Sequence, residues 1–127
     1  MAITILSPER AYAFAPPIAS EIAWTQQPAD PSDQDCLTHR EWWLRRAAAL
    51  DRLLLENPAS SPEVIEEAAA AAIYLLDSDR GPRDQDPRVY VRHAYHAWRR
   101  ADLITTGRCP NCGWVAYQCA CADHPDA

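Results

Sequence analysis

The chain contains no lysine, and all twelve of its basic side chains are arginine. With abundant alanine and eleven prolines, this composition points to a GC-rich genome of origin. Only three glycines occur in 127 residues, and no Gly-rich loop of the kind that cradles phosphates is present. No apolar run approaches the ~20 residues needed to span a bilayer, so no membrane partner is expected. The opening stretch, MAITILSPERAYAFAPP, lacks a basic start and breaks its apolar runs at Ser7, Pro8, Glu9 and Pro16. It does not read as a signal peptide, and a cytoplasmic location is expected. In that reducing compartment, clustered cysteines favour metal over disulfides.

What is present allows one domain with a core, since hydrophobic residues make up 48% of the chain. The net charge of −6 should repel nucleic acid and anionic membrane. That charge is unevenly spread. Residues 1–79 carry five arginines against thirteen acids, and residues 80–108 carry seven arginines against three. An acidic front and a basic back either pair inside the fold or meet different partners.

Five of the prolines fall in residues 1–35, at Pro8, Pro16, Pro17, Pro28 and Pro31. Proline fixes φ and removes a donor, so residues 1–37 are expected to form an extended leader, largely unstructured. Phe14 and Trp24 are its candidates for docking onto a neighbour. Thr38 and Glu41 have the spacing of a capping box, with Leu37 and Trp42 as a hydrophobic staple. They predict a first helix from His39 to Glu56, with Trp43, Ala47, Leu50 and Leu54 as its buried stripe and Leu44 and Leu53 widening it. Ser61-Pro62 predicts the start of a second helix, ended by Gly81-Pro82. Its expected buried face is Ile65, Ala68, Ala69, Ala72, Leu75 and Leu76. Asp86-Pro87 begins a third helix on the same logic, with Val91, Ala94, Tyr95, Trp98 and Ala101 on one face and Gly107 as C-cap. The fold class is therefore all-α: a three-helix bundle over residues 38–107.

Residues 108–127 hold four of the five cysteines. Cys109-Pro110-Asn111-Cys112-Gly113 has the form of a metal knuckle, in which two sulfurs reach one ion across a tight turn. Cys119, Cys121 and His124 can complete a tetrahedral set, and the spacing leaves open which two do so. Soft thiolate ligands suit Zn²⁺. Four protein ligands leave no position for a water nucleophile, so the expected zinc is structural, closing a small C-terminal hairpin too short to fold alone.

Cys36 followed by Cys-x2-Cys invites comparison with the WhiB-like iron–sulfur regulators. The gap to Cys109 is too long, Cys112 to Cys119 is one residue too wide, and no Gly-Trp-Gly-Gly turn follows. A broader likeness lies in HREWWLRRAAALDRLLLENP, the Ala-rich helix ending LLDSDR, DPRVYVRHAYHAW and the CPNCGW knuckle. Over roughly residues 38–114 the chain resembles small helical proteins of Streptomyces and its mobile elements. The resemblance implies origin and architecture, and no activity.

Arg88, Arg92, His96, Arg99 and Arg100 lie on the polar side of the third helix. They form either a basic surface for DNA phosphates or a face paired with the acids of the first two helices. The overall negative charge favours pairing. No nucleophile sits beside a base in a known catalytic motif, so no enzyme is expected. The expected function is a non-catalytic protein-interaction or regulatory role, with a DNA-binding accessory factor as the alternative.

Overall fold

The computed structural model describes residues 6–26 and 36–110, with the backbone alone at 36–38. Its regular elements are all α-helices: α1 (Pro8–Ala11), α2 (Ile18–Gln26), α3 (Cys36–Glu56), α4 (Pro62–Ser78) and α5 (Pro87–Thr105). The all-α class is as expected. Helices α3, α4 and α5 form the predicted three-helix frame, and α3 sits at its centre, packed against α2, α4 and α5. The expected knuckle hairpin falls, beyond Pro110, outside the described residues.

Three helices start by one device. Ser7, Ser61 and Asp86 each accept a bond from a backbone N–H of the first turn, at 3.3, 3.4 and 2.9 Å, and proline follows each cap. The proline lacks the N–H that the first turn would leave unpaired, and its φ already suits a helix. The device also explains why residues 8–11, in a stretch expected to be largely unstructured, form a helix. Pro8 begins α1, and Pro16 and Pro17 directly precede α2, so these prolines start helices instead of interrupting them.

The start of α3 also differs from expectation. The helix begins at Cys36, which puts Thr38 inside its first turn and not at the cap. No proline or glycine lies between Pro31 and Asn57, so nothing stops the helix from winding back past Thr38.

Helices α4 and α5 end in the same double bond. Gly81 N–H donates to Leu76 C=O at 2.8 Å and Arg80 N–H to Asp77 C=O at 3.1 Å. Arg108 and Gly107 repeat the pattern onto Leu103 and Ile104, at 2.7 and 3.0 Å. Such a Schellman end needs one residue in the left-handed region. Gly107 supplies it after α5 at φ 77°, as predicted, but after α4 the residue is Arg80, at φ 54°. Gly81 has a different reason to be glycine. A Cβ there would lie 2.5 Å from the Leu76 side chain and 2.9 Å from the Tyr90 ring.

The core unites Leu44, Ala47, Ala48, Leu50 and Leu54 of α3 with Ala68, Ala71, Ala72 and Leu75 of α4 and Val91 and Tyr95 of α5. Five consecutive residues of α3, Ala47 to Asp51, are buried, as a helix with neighbours on three sides requires. The predicted stripes of the first and third helices hold, except that Ala101 is exposed. The second differs more. Ala68, Ala71, Ala72, Leu75 and Leu76 face inward, whereas Ile65 and Ala69 face out. The alanine run 68–72 carries little periodic signal of its own, so the larger residues beyond it set the rotation of the helix.

Candidate functional site

Asp51 is 1% exposed, yet it carries a carboxylate in the middle of the most buried helix. Each of its oxygens is accounted for. Arg88 Nε donates to Oδ1 at 2.5 Å, Arg92 Nε to Oδ2 at 2.9 Å, Arg92 Nη2 to Oδ1 at 3.1 Å and the Tyr12 hydroxyl to Oδ2 at 2.6 Å. One side chain of α3 thus ties down both α5 and the α1 arm. Burial, and then the Asp51 charge, push the Tyr12 hydroxyl well above the ordinary phenol range, so it stays a donor. The Arg92 guanidinium is held charged chiefly by its bonds to Asp51.

The segment containing α1 and α2 is fastened at three further points. The buried Glu21 takes Arg45 Nη2 at 2.5 Å, and the same guanidinium lies 3.7 Å from the centre of the Trp24 ring. Arg52 Nη1 donates to the Pro16 carbonyl at 2.7 Å, and Arg99 Nε to that of Phe14 at 2.9 Å. Phe14 and Trp24, the two predicted docking residues, therefore both belong to this fastening, one through its backbone and one through its ring.

These contacts bear directly on the arginine-rich face of α5. Arg88 and Arg92 turn inward to Asp51, and Arg99 is shared between the Phe14 carbonyl and Asp102, 2.7 Å away. His96 is half-buried, and burial, with Arg100, Arg10 and His93 nearby, holds its imidazole below the usual histidine range. Arg100 is half-buried on the same helix. Arg88, Arg92 and Arg99 thus have their guanidinium groups bonded within the fold.

Cys109, two residues after Gly107, is fully buried. Cys112, Cys119, Cys121 and His124 lie outside the described residues. Among the described residues, no group of three or more His, Cys, Asp or Glu side chains is placed to hold a metal ion.

The opposite side of the molecule differs in character. Ile65, Ile73 and Tyr74 on the outer face of α4 are 43%, 47% and 43% exposed, and Ala69 and Ala70 lie exposed between them. Positions 65, 69 and 73, and 70 and 74, are four apart, so these side chains form one continuous surface. The Tyr74 ring stacks on Trp43 of α3 with centroids 4.2 Å apart, and Trp43 in turn meets the edge of Trp42 at 4.9 Å. Glu63, Glu66 and Asp77 are exposed on the same helix, and their side chains form no ion pair among the described residues. Glu67, beside them, is paired with Arg46.

A third cluster closes the junction of the long helices. Arg40 grips Asp79 with two bonds, of 2.8 and 2.7 Å, and the Tyr90 hydroxyl adds a third at 2.7 Å. The Arg40 bonds, reinforced by Tyr90, hold the Asp79 carboxyl below the usual range. Tyr90, partly buried and bonded to that carboxylate, is pushed up to about 12.

Sequence patterning singled out neither Asp51 nor Glu21. For Asp51 a signal exists: it stands four residues after Ala47 and three before Leu54, on the apolar stripe itself. An acid at such a position must find partners, and two arginines four apart on another helix, Arg88 and Arg92, are suitable. Glu21 carries no comparable mark, because α2 lies in a segment whose prolines obscure its helix. No protein-family model, curated protein or solved structure matches the chain.

Proposed function

We propose that the protein is a non-catalytic interaction or regulatory accessory protein of an actinobacterium or its mobile element, with its C-terminus closed by a structural zinc. The observation that carries this reading is the outer face of α4. Exposed isoleucines and a tyrosine form one continuous surface there, and a core-facing role does not account for them. Extended apolar faces of this kind mark interaction sites. The ordered polar groups elsewhere support the same reading. Asp51, Glu21 and Asp79 are bonded to arginines and tyrosines of the fold and do not converge on open space.

The inward arginines weigh against the DNA-binding alternative. Phosphate would have to compete with buried carboxylates for Arg88 and Arg92, and counterion release rewards only contacts that form. The zinc reading rests on ligand spacing, with Cys109 buried at the end of a well-capped helix. Its ligands would be Cys109 and Cys112 with two of Cys119, Cys121 and His124, and the ion would supply folding free energy.

A photo-crosslinking amino acid at position 73, expressed in an actinobacterial host, tests the interaction reading. The expected result is a discrete adduct with one protein, which the purified partner reproduces. No adduct at 73, or the same adducts from an exposed control position such as 104, would reject it. Elemental analysis of the purified chain tests the metal, with about one zinc per chain expected.

A further inference from the structure

The outer face of α4 has a charge pattern as well as an apolar one. Its middle turns present Ala69, Ala70, Ile73 and Tyr74, while Glu63 and Glu66 stand at its start and Asp77 at its end. Glu66 and Asp77 are eleven residues apart, which at the helical rise is about 16 Å along the axis. We propose that this face docks an amphipathic helix of a different protein, one that carries an apolar stripe with an arginine or lysine toward each end, about three turns apart. The proposal rests on the interaction reading above and adds the chemistry of the partner.

Four features select this occupant. The surface is the side of a helix, whose backbone groups are bonded internally, so it offers no ladder edge for a strand. Alanines between larger side chains leave a groove between ridges, the shape into which a second helix packs at 8–10 Å or so. Tyr74 is held against Trp43, so its ring is already positioned and loses little freedom when covered. The exposed acids at the two ends, which form no ion pair among the described residues, then choose the sign of the partner. They rule against a second copy of this chain in antiparallel register, because Glu66 of one copy would meet Asp77 of the other. They also disfavour nucleic acid and anionic lipid, which bring more negative charge.

The test uses the full chain and a defined probe. A fluorescent peptide of about 15 residues, long enough to form a helix against a surface, carries leucines at i, i+3, i+4 and i+7 and two flanking arginines eleven apart. A twin peptide has glutamates in place of those arginines. Anisotropy titrations at ~0.15 M salt are expected to show the arginine peptide binding at least about tenfold more tightly than its twin, a difference of about 1.4 kcal/mol. Ile73→Glu should lose that binding by a similar factor while circular dichroism stays unchanged. Glu66→Arg/Asp77→Arg should reverse the preference and favour the glutamate peptide. That reversal is a readout that loss of folding cannot mimic.

Equal binding of the two peptides, or no reversal in the double variant, would overturn the partner chemistry. Concentration-dependent dimers in sedimentation velocity, abolished by Ile73→Glu, would assign the face to a second copy and overturn it as well. If the crosslink at position 73 still forms while the peptides fail, the interaction reading stands without this partner class. If both fail, both fall.

Discussion

The inward face of α4 and the inward faces of α2 and α5 bury their residues against the same central helix by different means. That of α4 is hydrocarbon throughout, from Ala68 to Leu76. Those of α2 and α5 bring Glu21, Arg88 and Arg92 to α3, where Arg45 meets the first and Asp51 the other two. A dry contact is indifferent to small rotations, since one methyl replaces another. A carboxylate with four donors is satisfied in one arrangement only, and any slip leaves a buried charge short of partners. The difference teaches that the inward face of α4 is held by burial, with its ion pairs to Arg46 and Arg40 at the rim, whereas the arm and α5 are held in register by buried charges.

The largest test of that contrast is Asp51→Ala. Removing the acid strands two guanidinium groups and a phenol, and the expected loss in urea unfolding is about 3–5 kcal/mol. Leu75→Ala probes the dry side, where a cavity should cost about 3 kcal/mol. A smaller loss at Asp51 than at Leu75 would dissolve the distinction between the two attachments. Tyr12→Phe removes one bond to the carboxylate and leaves the rest, with an expected cost of about 1.5 kcal/mol. The same change made in the Asp51→Ala background should cost almost nothing, and additivity there would show that Tyr12 acts through packing alone.

Arg80→Gly should go the other way. Relief of a left-handed non-glycine residue is worth about 1 kcal/mol, so the melting temperature is expected to rise. The smallest effect is in pH. Burial holds His96 below its ordinary value, so the folded state favours the neutral ring. Its contribution is complete above the unfolded value of about 6.5 and is lost as pH falls through the folded one. A melting series between about pH 7.5 and 5.5 should show a decline that His96→Gln reduces.

Helices α4 and α5 were legible because their starts and stops are chemical, whereas the start of α3 was not, since it begins at Cys36, ahead of the predicted cap Thr38. Ser61-Pro62, Asp86-Pro87 and Gly107 each act within one turn of chain, where neighbours in sequence decide the outcome. The leader was not, because proline reads as a breaker until its place in the turn is known. The rotation of α4 was misjudged for a related reason, since five alanines in a row look alike from every side. The partners of Asp51 depend on how three elements meet, which no local pattern records. The proposed metal ligands, Cys109 included, rest on spacing alone, and the outer face of α4 became visible only once Ile65 and Ala69 were placed outside.

The bond from Arg99 to the Phe14 carbonyl joins residues 85 positions apart. During synthesis at about 5–20 residues per second, Phe14 is made some 4–17 s before its partner. Asp51 is likewise translated well before Arg88 and Arg92, and Tyr12 earlier still. This earlier-made segment is therefore the last to find its place, with Tyr12 and Ile22 exposed to solvent or to a chaperone in the interval. Truncated nascent chains ending before α5 should leave this segment open to protease, and release of the full chain should close it.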